Sequence, residues 1–575
     1  MTSLIIKNGF VYDPLNKING EIMDISIENG KVVEKISDER TAKVIDARGK
    51  TVMPGGVDSH SHIAGAKVNT GRIMRPEDSR RHVVPKTKIT QSGTGETVPT
   101  VAITGYEYAA MGYTTVMEAA MPPLEAIHTH EEMLHIPIID KGAYEVFGNN
   151  WFVMKYLKEG DIEKAAAYVA WLLRTTKGYG IKIVNPAGVE AWGWGKNVES
   201  LDENIDNFDI NSREIVKGLA EVNEMLNLPM SIHLHANNLG KPGNHEITKD
   251  SLKIVKNIKV NTAKNGSARK QNIYLAHAQF NSFGGNSWSD FESGTKGITN
   301  YLNAEEHVVI DLGAVPFGNA TVMTGDGPSI HELFKLMGKK ISITGNKWSN
   351  KDIEVECGSG VIPFKYLSTN PIHSIQWAMG LELALYTDDL NKIIMTTDHP
   401  NGGPFSKYPK VITWLMSSKA REDTMKLIHK FGVEKTRINA TDRELSLYDI
   451  ATVTRATPAM VIGLADRKGH LGVGADGDVT IYDINPAEFN SANYKEIEEK
   501  FSKAAYTIKD GIVVAENGLI KEVTTGRTFW VDKKVGDDIE KEVLKDIKKD
   551  FVNYTLNFEN YGVDMRYLSN STVVN

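Results

Sequence analysis

The sequence predicts a large α/β fold: a (β/α)8 barrel of the TIM type, carrying a small β-sandwich domain formed from the N- and C-terminal segments. Three observations lead there. Between residues 51 and 438, eight short β-branched or apolar runs recur: TVMPGGVDSH, TTVMEAAMP, AYEVFGNN, IKIVNPAG, MSIHLHANN, IYLAHAQF, HVVIDLGAV and IIMTTDHPN. Several are separated by helical stretches, of which EKAAAYVAWLLRTT and SREIVKGLAEVNEMLN place apolar residues three and four apart. Strands alternating with helices argue for a parallel sheet, and eight such units argue for a closed barrel. Finally, both ends of the chain share a different texture, that of antiparallel hairpins.

In chain order, residues 1–50 open with SLIIKNGFVYDP and GEIMDISIENGKVVEKI, apolar and polar residues alternating between Asn-Gly turns. The style returns in GADGDVTIYDINP and AAYTIKDGIVVAENG, so residues 439–525 are expected to complete the sandwich domain begun by 1–50. Residues 51–438 form the barrel, with insertions at about 66–105 and 316–390. Residues 526–575 form a C-terminal extension, where KKVGDDIEKEVLKDIKKDF reads as a solvated, ion-paired peripheral helix.

Composition excludes several functions. A formal charge of −7 and the lack of a polybasic segment speak against nucleic acid. No apolar run approaches the roughly 20 residues a membrane span needs. MTSLIIKNGFVYDP does not read as a signal peptide, so the chain reads as cytoplasmic. One cysteine, Cys357, permits neither an internal disulfide nor an iron–sulfur cluster held by this chain alone. Any redox step therefore belongs to another chain.

Catalytic groups of such barrels sit at the carboxyl ends of strands. Those ends carry His60 and His62 in PGGVDSHSH, Lys182 in GYGIKIVNP, His235 in SIHLHANN, His277 in YLAHAQF and Asp398 in MTTDHP. Any one histidine at a strand end is ordinarily a hydrogen-bonded polar residue, a lysine in IKIV can snorkel, and an aspartate before His-Pro can cap a turn. Six coincidences at the right ends are far less expected than one. Imidazole and carboxylate suit two divalent metals of the zinc type. A lysine desolvated near two cations loses its proton and can capture carbon dioxide, and the resulting anionic carbamate can bridge metals about 3.5–4 Å apart.

The order H-x-H, Lys, His, His, Asp on successive strands resembles the amidohydrolase superfamily, particularly its hydantoinase and dihydroorotase branch. HLHANN resembles that branch's strand end and favours His235 over His233, while GHLGVGADGDVTIYD and RATPAMVIGL resemble the superfamily's C-terminal signatures. PGGVDSHSHIAGAKVNTGRIMRPED, GYGIKIVNPAGVEAWGWG and TTDHPNGGPF are similar to the family of amidohydrolase-type subunits of formylmethanofuran dehydrogenases, with no departure at the six positions. That resemblance implies reversible condensation of formate with methanofuran to N-formylmethanofuran and water, as a step of methanogenesis from CO2. It also implies tungsten- or molybdenum-pterin and iron–sulfur partner subunits, and Asp398 as the catalytic proton carrier. Two rivals stand beside it: a free-standing cyclic amidohydrolase, and a non-catalytic barrel kept as a scaffold.

Around the site, Arg72, Arg75, Arg80 and Arg81 in KVNTGRIMRPEDSRRHVVPK are candidates to grip methanofuran's carboxylate-rich tail. The plain alternative is a solvated or partner-binding loop. His399 and Asn401 are expected to shape the site without ligating metal. A second H-x-H, His128 and His130, falls on a helix start where residues two apart diverge, and is not counted as a site. His82, His245 and His429 read as ordinary histidines.

Overall fold

The computed structural model describes residues 3–261, 269–333, 349–351, 359–551 and 558–575, so Cys357 lies outside the described residues. Each of the eight runs supplies one parallel strand: Gly56–Ser61, Tyr113–Met121, Asp140–Val146, Gly180–Val184, Ile232–His235, Ile273–Leu275, Val308–Asp311 and Ile393–Ile394. They pair in chain order. The ring closes where Ser61 bridges His399 and the His62 N–H donates to the His399 carbonyl at 2.7 Å.

The first barrel strand starts later than the sequence pattern suggests. Thr51–Pro54 pairs instead with Ser3–Asp13 and Val479–Tyr482 in a second sheet. Gly55 and Gly56 then carry the chain across to the barrel. A Cβ would lie 2.3 Å from Thr114 Oγ1 at the first and 2.7 Å from the Tyr113 ring at the second, so the crossing needs bare backbone.

Helices cover the barrel because a parallel sheet must be buried on both faces. Ile162–Thr176 begins where the Asp161 side chain accepts from Lys164 N–H, and ends at Lys177 in the left-handed region. Ser212–Met225 starts from a capping box in which Asn211 and Glu214 satisfy each other's backbone N–H.

The second sheet has nine strands drawn from both ends of the chain. Its core joins Leu4, Ile6 and Val52 to Val479, Ile481 and Ile508. Only one of the three N-terminal Asn-Gly pairs makes the expected hairpin turn: Asn29-Gly30, between Ile18–Glu28 and Lys31–Val33. Asn8-Gly9 and Asn19-Gly20 lie inside long strands, where the pairing register shifts as in a β-bulge. Positive φ suits bulges as well as turns, which is why the pattern misleads there.

The insertions meet at the carboxyl mouth of the barrel. The first contributes the helix Ala66–Met74 and the short helix Asp78–Arg81, the second a three-stranded sheet and the buried helix Pro371–Leu385. Val68 and Val98 of one pack on Met323 and Val361 of the other. The C-terminal helix Asp537–Phe551 is docked rather than solvated. Its Val543 and Ile547 are buried, while Glu540 pairs with Arg174 of Ile162–Thr176 at 2.5 Å. Apolar residues four apart outweigh the charges around them.

Candidate active site

His60, His62, Lys182, His235, His277 and Asp398 are all buried, and all line one cavity at the barrel mouth. Asp398 Oδ1 lies 3.0 Å from His60 Nε2 and 3.4 Å from His62 Nε2. Across the cavity His277 Nε2 is 3.1 Å from His235 Nδ1. Both His277 (φ +35) and Asp398 (φ +50) leave their strands through the left-handed region, a cost such sites tolerate where it aims a side chain. His233 is absent from the cavity wall. It packs behind, its ring between His60 and Tyr274, with Nδ1 3.2 Å from Lys182 Nζ.

Three of the four histidines have a carboxylate on the rear nitrogen, and the sequence reading missed these partners. Asp311 Oδ2 faces His60 Nδ1 at 2.7 Å, Glu118 Oε1 faces His62 Nδ1 at 3.0 Å, and Asp326 Oδ2 faces His235 Nε2 at 3.0 Å. Carboxylates only accept, so each ring carries its proton on that side and turns the other nitrogen's lone pair into the cavity. Glu118 also accepts from the Ile63 and Ala64 N–H groups at 2.6 and 3.0 Å. The signals were faint: an acid within TTVMEAAMP, an acid within HVVIDLG, and one acid in an insertion.

The electrostatics fit a cation-binding centre. Burial disfavours charge on His60, but the Asp311 and Asp398 carboxylates outweigh it and push its pKa up to about 9. Burial brings the Lys182 amine down to about 7, against the pull of Asp398 and Asp311. His235 and His277 are lowered, chiefly by burial, toward the neutral ligand form. Four imidazoles, a carboxylate and a readily deprotonated lysine are a donor set that fits divalent metals. Beyond them the wall turns aromatic, with Phe280, Phe283, Trp288, Phe364 and Tyr366.

The remaining predicted residues divide. Asn401 lines the cavity, donates from Nδ2 to Asp398 Oδ1 at 3.0 Å and accepts from the Met323 N–H at 2.6 Å. His399 lies behind the wall, where its Nδ1 accepts from the Phe405 N–H at 3.1 Å. Arg72 donates to Glu132 Oε1 at 2.6 Å and to the Pro99 and Ile63 carbonyls. Arg75 is buried against Asp78 and the Ala320 carbonyl. Both hold the insertion together, whereas Arg80 and Arg81 are exposed on Asp78–Arg81. His130 is buried on Ala126–Leu134 with Nε2 2.8 Å from the Thr176 carbonyl, and His128 points out to Glu132.

The amidohydrolase family model matches residues 43–515. Protein FwdA of Methanocaldococcus jannaschii is 52% identical over 99% of this chain and 98% of its own length. FhcA of the formyltransferase/hydrolase complex of Methylorubrum extorquens is 33% identical over 93% and 92%. A crystal structure of the Methylorubrum extorquens formyltransferase/hydrolase complex FhcABCD with methylofuran superposes with TM-score 0.87 at 29% identity, covering both chains fully. The chain therefore belongs to the amidohydrolase family and, within it, to the FwdA-type subunits of formylmethanofuran dehydrogenases.

Proposed function

We propose that this chain forms and hydrolyses a formamide, condensing formate with methanofuran to N-formylmethanofuran plus water and running the reverse, within methanogenesis from CO2. The observation that carries this reading is the convergence of six ligand-type side chains in one cavity, three of the four histidines being backed by a carboxylate. His60, His62 and Asp398 would hold one divalent ion, and His235 with His277 a second, zinc by ligand type. Lys182, whose amine burial keeps near neutrality, is the group that would capture CO2 as a carbamate shared by both. Such ions supply Lewis acidity, polarising the formyl oxygen and acidifying water.

In hydrolysis Asp398 accepts the proton of the attacking water and delivers it to the amine nitrogen as the C–N bond breaks. Asn401 keeps its carboxylate turned toward His60 and His62. In the synthetic direction Asp398 takes the proton from the incoming amine. Lys67, buried in the same wall, offers formate a cation. The aromatic mouth suits a flat, apolar group beside the formamide.

Reduction of CO2 to formate would fall to tungsten- or molybdenum-pterin and iron–sulfur subunits, since a chain with one cysteine cannot carry that chemistry. The complexes named for its relatives support such an assembly. Of the four arginines, Arg80 and Arg81 stay available for a carboxylate-rich tail. Replacing both by alanine should raise KM for methanofuran, and an unchanged KM would end that role.

The direct test is Asp398→Asn. Formate release should fall by about 10²–10⁴-fold while elemental analysis still finds bound metal. Full activity would reassign the proton carrier.

A further inference from the structure

The insertion after His62 holds another cluster of ligand-type side chains, one the reaction does not use. Asp78 opens the short helix Asp78–Arg81 and His82 caps it one turn later, so both face the same side. Glu96 joins them from the next loop, in the left-handed region at φ +72. One ligand atom from each lies within 4.8 Å of the others, with His82 Nε2 2.7 Å from Glu96 Oε2. Among the described residues only two other triplets come this close, His60/His62/Asp398 and His60/His233/Asp311, and both belong to the catalytic region.

The outer partners are arranged as around a metal site. Thr97 Oγ1 donates to Asp78 Oδ2 at 3.1 Å, and Asn319 Nδ2 donates to Glu96 Oε1 at 3.0 Å. The remaining oxygens, Asp78 Oδ1 and Glu96 Oε2, are buried atoms without a hydrogen-bond partner, and Asp78 as a whole is only 4% exposed. Arg75 Nε stands 3.4 Å away on the Oδ2 side and answers one carboxylate, not two. Burial, opposed by Arg75 and reinforced by Glu96, leaves the Asp78 carboxyl above its usual range.

We propose that Asp78, His82 and Glu96 bind a divalent cation of the zinc class, at a structural site separate from the catalytic cavity. One imidazole nitrogen and two carboxylate oxygens make three protein ligands, with water to complete the shell. The cation clamps the first insertion to the second. Asn319 and Thr321, whose Oγ1 donates to Thr97 Oγ1 at 3.1 Å, sit on Gly318–Thr324. The same strand's Met323 N–H holds Asn401 at the catalytic site.

The test uses the full chain, loaded with zinc and desalted. An anomalous difference map at the zinc edge should show a peak between Asp78, His82 and Glu96. His82→Ala, or the isosteric Glu96→Gln, should lower the zinc content by one equivalent per chain. Absence of that peak in crystals of the unmodified protein overturns the proposal, whatever the cavity contains. So does an unchanged zinc content in folded variants, which would leave His82 and Glu96 as a plain ion pair.

Discussion

Asp311 shows how one side chain sets the geometry of several. Its two oxygens take His60 Nδ1 at 2.7 Å, the His277 N–H at 2.9 Å and Thr396 Oγ1 at 3.0 Å, tying together the ends of four strands. Asp311→Asn keeps the shape but offers a donor where His60 needs an acceptor. Metal affinity measured by chelator competition should fall by about 10–100-fold, and an unchanged affinity would reduce Asp311 to packing. The six cavity residues were legible because histidine, lysine and aspartate are conspicuous at the ends of apolar runs. Their supporting acids were not. Glu118 and Asp311 stand in place of one apolar residue each and look like strand terminators, and Asp326 lies in an insertion with no barrel register to place it. Arg72 and Arg75 were conspicuous for the opposite reason: their charge suggested a ligand, while their partners are internal.

At the scale of elements, buried charge joins the amino end of the barrel to the second sheet. Asp140, at the start of Asp140–Val146, faces Lys468 at 2.5 Å, Lys509 at 3.2 Å and Arg527 at 3.1 Å. Lys468 also reaches Asp476 at 3.0 Å and Asp478 at 2.6 Å. Against the effect of burial, these cations hold Asp140 and Asp476 well below the usual carboxylate range. Their folded pKa values lie below the unfolded value of about 3.9. The unfolded chain therefore binds more protons, and the cluster's stabilisation is complete above that pH and lost as pH falls through the folded values. Lys468→Met strands buried carboxylates and should cost about 3–5 kcal/mol near neutrality. Thermal melts should show its gap from the unmodified protein constant from about pH 8 to 5 and narrowing below about 4. A gap independent of pH would mean that packing, not charge, is lost. The C-terminal helix gives a second element-scale check. Ile547→Ala should destabilise by about 2–5 kcal/mol, whereas a freely solvated helix would lose almost nothing. The eight strands were legible in their apolar runs. The docked face of this helix was masked by its lysines and acids, and the bulges by Asn-Gly pairs that serve turns equally well.

Across the whole molecule, two ends of the chain build one sheet, the middle builds the barrel, and two insertions close over its mouth. That division leaves hydrolytic groups in the cavity and assigns electron transfer to other subunits. The central claim is accordingly that the amide chemistry belongs to this chain. The measurement is formate release from N-formylmethanofuran by the isolated, zinc-loaded chain supplied with bicarbonate. Release that disappears in Asp398→Asn is the predicted result. No release from folded protein with metal demonstrably bound would contradict it.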